Sequence, residues 1–146
     1  MLGHRITEEI VFPVPHRQWV FTIPKRLRIY FRFDRSLLGN LCRLAYESVR
    51  DVMCSEPGAD GGLPGMIATV QTFGDLILWH CHVHAIISEG VFIKDGSFVN
   101  MPDVDLAKCV ARWQKKVFAL LVHKKKIELD DAQVNEQVGA LGIRHT

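Results

Sequence analysis

The histidines at positions 80, 82 and 84 are the residues of this chain best placed to do chemistry. They occupy every second position of Trp79-His80-Cys81-His82-Val83-His84-Ala85-Ile86-Ile87-Ser88, so in an extended segment all three imidazoles leave one face. A neutral imidazole is a common metal ligand, and a rigid strand aiming two or three of them one way holds much of a coordination shell in advance. The intervening Cys81, Val83, Ala85 and Ile87 suit a buried sheet face. The plainer alternative is a polar strand face whose rings only hydrogen-bond to their neighbours. Imidazole suits manganese, zinc or nickel better than magnesium, which prefers oxygen. Gln71, Asp75, Glu89 and His80 are all candidates to complete a site built on His82 and His84.

A second set of residues suits a polyanion. The net charge is only +2, but the positive side chains come in clumps: Lys25, Arg26 and Arg28 with Arg32 and Arg35 following, then Arg112, Lys115 and Lys116, then Lys124 to Lys126. Clumping matters more than the sum for a nucleic-acid partner. Taken singly, each clump reads as a solvated helix face. With the histidines, Arg17, Lys25, Arg26 and Arg28 become candidate phosphate contacts for single-stranded DNA, with salt-sensitive affinity. Trp19 could stack on a base, although a Trp inside an apolar strand more commonly belongs to the core.

These groups need elements to position them. Arg17 to Ile23 reads as a strand ended by Pro24, which suits the first position of a short basic helix over Lys25 to Phe31. Asp34 suits the N-cap of a helix in which Leu37, Leu38, Leu41, Ala45, Val49 and Val52 repeat with helical period to about Cys54. Ser55 to Gly65 is dense in glycine and proline and reads as a mobile surface loop, without a phosphate-cradling motif. Met66 to Phe73 and the His strand form an antiparallel hairpin; a compact turn puts Gln71 opposite His80 and Thr69 opposite His82. Lys94-Asp95-Gly96 turns a further hairpin between Val91-Phe92-Ile93 and Ser97-Phe98-Val99. Asp103 or Asp105 caps a helix whose Leu106, Val110, Trp113, Val117 and Leu120 share one face, with Arg112, Lys115 and Lys116 turned away. Beyond it the chain becomes polar and, from Gly139 to Thr146, loses all periodicity. The expected class is α+β: an antiparallel sheet carrying the His-x-His strand, with helices packed on one side.

At 146 residues, with 48% apolar and 23% charged residues, the chain is one ordinary domain that buries its own core. Its longest apolar run, Val117 to Val122, is too short to cross a bilayer, and Met1 to Arg5 does not open a secretory signal. No membrane association and a cytoplasmic location are expected. Cys42, Cys54, Cys81 and Cys109 lack a Cys-x-x-Cys spacing and read as buried reduced thiols.

Arg17-Gln18-Trp19-Val20-Phe21-Thr22-Ile23-Pro24-Lys25-Arg26-Leu27-Arg28, then Thr72-Phe73-Gly74, then His80 to Ala85 followed by Gly90-Val91-Phe92 together resemble a known family. It is that of the two-tyrosine transposases of rolling-circle insertion sequences, which belong to the His-hydrophobic-His single-strand endonucleases. The resemblance spans residues 10 to 130 or thereabouts. It implies that His82 and His84, with Val83 between them, bind Mg²⁺ or Mn²⁺, and that His80 is the further histidine such transposases often carry. The bound ion would draw charge from a scissile DNA phosphate while a tyrosine hydroxyl attacks it, leaving a 5′-phosphotyrosine and a free 3′-OH.

Two departures shape the expectation. The cysteine-rich segment typical of the family ahead of the Arg-Gln-Trp block is replaced by a short leader, and the family's paired tyrosines resemble an element placed after Thr146. Tyr30 and Tyr46 precede the histidines on predicted helices and read as packing residues. The expected protein is a partial transposase domain over residues 1–130, truncated at both ends, that retains DNA and metal binding but not catalysis. Residues 131–146 are expected to be a frayed or truncated tail, and the oligomeric state stays open. A small metal-dependent hydrolase or oxygenase, and a non-catalytic structural module, are the alternatives.

Overall fold

The computed structural model describes residues 13–74, 78–127 and 142–145. Strand β1 (His16–Thr22) leads through Pro24 into helix α1 (Lys25–Phe33). A 3-10 turn (Arg35–Leu37) runs directly into α2 (Leu38–Met53). Strands β2 (Met66–Phe73), β3 (Trp79–Ser88), β4 (Gly90–Phe92) and β5 (Phe98–Asn100) follow, then α3 (Leu106–His123) and β6 (Gly142–His145). The main sheet has the order β2-β3-β1-β6 with every neighbouring pair antiparallel, and β4 and β5 form a separate two-stranded sheet. This is the α+β class the sequence predicts. Among the described residues no helix is long and apolar enough to cross a membrane.

Alternation along the strands decides what faces the helices. Trp19 and Phe21 of β1, and Cys81, Val83, Ala85 and Ile87 of β3, are buried in one cluster with Leu41, Ala45 and Val49 of α2 and Trp113, Val117 and Leu121 of α3. Trp113 sits edge-on to Phe21 with ring centroids 5.1 Å apart, and its indole N–H donates to the Thr22 carbonyl at 3.1 Å. A buried indole needs such an acceptor, and here the bond also ties α3 to the central strand.

Local signals place most boundaries and misplace a few. Pro24 is the N-cap of α1 rather than its first helical residue; its ψ of 149° is extended, and its carbonyl accepts from Leu27 and Arg28. Asp34 makes no side-chain cap bond, because its carboxylate is taken by the Ser36 hydroxyl and the Lys126 ammonium. Asp105 does cap α3, accepting from the Lys108 N–H at 3.1 Å.

The glycine-rich loop is docked, against the expectation of a mobile one. Leu63 bridges Phe92, Ala59 is buried, Tyr46 donates to the Pro64 carbonyl, and the Ser88 hydroxyl accepts from the Gly65 N–H. Gly62 has no room for a side chain: a Cβ there would lie 2.8 Å from the Ala59 carbonyl and from Val91.

Two further expectations change. The β2–β3 register is two residues from the predicted one, pairing Gln71 with His82 and Thr69 with His84, because the connection after Phe73 is longer than a compact turn and the strand bulges between Gln71 and Phe73. A two-residue shift keeps the faces as predicted. Residues 142–145, read as part of a frayed end, pair with β1 as an edge strand that buries Ile143. A four-residue strand with one apolar side chain is too short to show a period.

Candidate metal and DNA site

β3 is extended throughout, and the alternation expected of it holds: His80, His82 and His84 share the face turned away from the helices. Their rings form a row with centroids 4.9 Å apart from His80 to His82 and 4.8 Å from His82 to His84. His82 is the most enclosed, 8% exposed. It is flanked along its strand by the other two rings and across the sheet by Gln71 of β2 and Thr22 of β1.

Hydrogen bonds orient the row. His82 Nδ1 lies 2.8 Å from the His80 carbonyl oxygen, an acceptor only, so Nδ1 carries the proton in the neutral ring and Nε2 keeps its lone pair. A carbonyl holding the far nitrogen in this way fixes the tautomer and prepares an imidazole for a metal. His84 Nδ1 lies 3.5 Å from the Gln18 side-chain amide. His80 Nε2 is buried and has no hydrogen-bond partner among the described residues. Burial lowers the His80 pKa below the ordinary imidazole value, and the charges of Arg28, His82 and Arg144 lower it further. His84 is lowered by burial and then by His82. Both rings are thereby held in the neutral form a ligand requires. Among the described residues no carboxylate contributes to either shift.

The donor set fits a divalent cation in part. Imidazoles two apart on a strand stand side by side rather than around a centre, and among the described residues no three His, Cys, Asp or Glu side chains gather to hold an ion. Neighbouring rings with an oriented nitrogen and an orphaned buried one suit a cation that takes two imidazoles and fills its other positions with oxygen ligands. Of the candidates to complete the site, Gln71 stands beside the row and Asp75 lies outside the described residues. Glu89 is seven residues from His82, about 23 Å along an extended chain, and is ion-paired with Arg17.

The structure separates the predicted DNA contacts. Lys25, Arg26 and Arg28 open α1 at the end of the sheet where Thr22 pairs with His82. Arg17 pairs with Ile87 at the opposite end, five residues or about 17 Å away. Lys25 and Arg26 are exposed. Arg28 is half-buried; its Nε donates to the Ile23 carbonyl at 2.8 Å, and burial lowers its pKa. Lys116, expected on an outward basic face, instead lies 3.4 Å from Glu47 and 3.1 Å from Asp51 of α2.

Sequence reasoning missed Arg144. Val20 pairs with His84 on one side and with Arg144 on the other, so Arg144 stands in the same row across the sheet. Its neighbour Ile143 turns to the core, which directs Arg144 to the His side. The only available signal was an apolar residue between two polar-compatible ones in Gly142-Ile143-Arg144, too short to read.

The remaining reactive side chains sit in the packing. Tyr46 on α2 donates to the Pro64 carbonyl at 3.2 Å, and burial pushes its phenol pKa up. Tyr30 packs against the core from α1. All four cysteines are free, and burial pushes the Cys81 and Cys109 thiols up to about 12, so they are inert.

Comparison with known proteins bears on this site. Residues 65–140, which include the whole His strand, match the family model described as "Putative transposase". The transposase of insertion sequence element IS801 from Pseudomonas savastanoi pv. phaseolicola is 31% identical over 87 residues, covering 60% of this chain and 20% of the relative. The protein named "Putative transposase y4qJ" from Sinorhizobium fredii (strain NBRC 101917 / NGR234) is 30% identical over 79 residues, covering 53% of this chain and 20% of its own length. The chain thus spans about a fifth of the curated relatives it matches. No solved structure matches it. With more than half its length inside the family model and its His row within the matched segment, the chain belongs to this transposase family.

Proposed function

We propose that this chain forms the metal- and DNA-binding part of a transposase that nicks and transfers single-stranded DNA. One observation carries the reading: three imidazoles stand in a row on the sheet face opposite the helices, with ring centroids 4.9 and 4.8 Å apart, and burial lowers the pKa of the two outer ones, His80 and His84. His82 and His84 would hold a Mg²⁺ or Mn²⁺ ion, His82 through the Nε2 that its Nδ1 bond to the His80 carbonyl leaves available. His80 is the adjoining candidate ligand. Such an ion supplies a Lewis acid for the scissile phosphodiester. The exposed Lys25 and Arg26 and the half-buried Arg28 would contact the backbone of the strand near the row. Arg17, held by Glu89, shares the helix-side face of the sheet with its partner Ile87 and so stands apart from a strand bound on the row.

The nucleophile is neither Tyr30 nor Tyr46. Tyr46 is bonded to Pro64 within the helix layer, and Tyr30 is packed on the core. The chain therefore binds without cutting. Mn²⁺ titration followed by electron paramagnetic resonance, with fluorescence anisotropy of a labelled single-stranded oligonucleotide at low salt, tests both parts. Wild type should bind both, and His82→Ala/His84→Ala should lose at least about tenfold in Mn²⁺ affinity, the lower end for loss of a supporting partner alone. Unchanged Mn²⁺ binding in that variant, or a covalent DNA adduct mapped to Tyr30 or Tyr46, would overturn the reading.

A further inference from the structure

We propose that Arg28 and Arg144 form a phosphate site for the bound strand, approaching the His row from two different elements. This rests on the DNA-binding reading above and adds to it a residue and a location.

Arg144 comes from the edge of the sheet. In the row Thr69–His84–Val20–Arg144 only Val20 separates it from the histidine strand. Two strand spacings of about 4.8 Å lie within reach of a guanidinium on its flexible stem. Ile143 is buried and Thr22 Oγ1 donates to the Gly142 carbonyl at 3.1 Å, so the short strand is pinned on both sides of its turn to the core. Arg144 itself is exposed.

Arg28 comes from the end of the sheet. The bond from its Nε to the Ile23 carbonyl uses one of five N–H donors and leaves the outer fork for a ligand. Ile23, whose carbonyl holds Arg28, directly follows Thr22, the cross-strand partner of His82, while Arg144 shares Val20 with His84, so the two guanidinium groups flank the row from different elements. Elsewhere the protein pairs such charges: Arg43 with Glu47, Arg50 with Asp51, Arg17 with Glu89. Among the described residues neither Arg28 nor Arg144 has an acidic partner. Two arginines with no acidic partner among the described residues, beside a row of imidazoles, match a phosphodiester in sign and in hydrogen-bond geometry.

The test is the salt dependence of single-stranded oligonucleotide binding. Removing one arginine that neutralises a phosphate should reduce the slope of log Kobs against log salt by about 0.7. Arg144→Gln should show that reduction, Arg144→Lys should keep the wild-type slope, and Arg144→Gln with Arg28→Gln should reduce it by about twice as much. Arg35→Gln, in the 3-10 turn ahead of α2, is the control and should leave the slope unchanged. Arg144 is exposed on an edge strand, so its variants fold, and tryptophan fluorescence confirms it. A wild-type slope in Arg144→Gln, or an equal reduction in Arg35→Gln, overturns the proposal while leaving DNA binding intact. Failure of wild type to bind the oligonucleotide at low salt would instead remove the DNA-binding reading, and this site with it.

Discussion

Replacing Ile143 by alanine tests whether the last strand is part of the folded sheet. Ile143 is 7% exposed and pairs with Phe21, which is fully buried against Trp113. The substitution removes three carbon atoms, or about 2.4 kcal/mol at about 0.8 kcal/mol per buried methylene. Buried isoleucine-to-alanine changes cost about 2–5 kcal/mol overall. This one belongs at the lower end, because a four-residue edge strand can shift to fill part of the cavity. Urea unfolding followed by tryptophan fluorescence is the assay, since Trp19 and Trp113 are both buried near the strand. With a slope of about 1–3 kcal/mol/M the midpoint should fall by about 1–2 M. A second readout follows from position. Loosening β6 carries Arg144 off the His face, so the salt slope for DNA should drop as it does in Arg144→Gln. A midpoint within about 0.3 M of wild type, small against the fall expected from the buried methylenes, would refute the burial of Ile143 and the docking of this strand. A large midpoint change with an unaltered salt slope would refute the link between the strand and the phosphate site.

Two more expectations concern charges. Lys116→Met removes two part-exposed ion pairs to α2, at about 0.2–1 kcal/mol each, and should lower stability by roughly that sum while leaving the salt slope of DNA binding unchanged; the opposite pattern would make Lys116 a DNA contact instead. His80 and His84 have pKa values held below the ordinary imidazole value, so below about pH 6.5 the unfolded chain takes up protons before the folded one does. Stability should therefore be unaffected by these two rings above that pH and fall as the pH drops through it toward their folded values. His80→Asn/His84→Asn should flatten the curve between pH 8 and pH 5 in urea titrations, and an equally steep curve in that variant would contradict the burial of the rings.

What was legible in the sequence was whatever repeats over several residues. The stripe of Leu41, Ala45, Val49 and Val52 fixed α2, and the alternation of Cys81, Val83, Ala85 and Ile87 with the histidines fixed both the strand and the face of the rings. The Asp-Gly turn marked the β4–β5 hairpin because Gly96, with φ of 88°, takes the left-handed backbone that glycine favours. What was hidden depends on distant partners. The glycine-rich loop looks mobile until Val91 and Phe92 come to lie beside Gly62 and Leu63. Lys116 looks solvated until α2 brings Glu47 and Asp51 to it. Arg144 looks like part of an aperiodic end until Phe21, more than a hundred positions earlier, supplies a partner for Ile143.

The charge pattern follows from the same long-range contacts. A net charge of +2 from 18 basic and 16 acidic residues suggests near-balance. In the folded chain the balance is local. Glu47 is pulled up by burial, but hydrogen bonds from Arg43 and Lys116 prevail and hold it below the usual carboxylate range. Asp51 behaves in the same way, with Arg50 and Lys116 prevailing over burial. Glu89 is committed to Arg17, and Asp34 to Lys126. These pairs lie in the helix layer and at the far end of the sheet, so their acids screen basic groups there and not at the His row. Arg28 and Arg144 are the cationic side chains that lower the His80 pKa. A small net charge thus coexists with clustered positive side chains, because Glu47, Asp51 and Asp34 are committed to cations of the helix layer and Glu89 to Arg17.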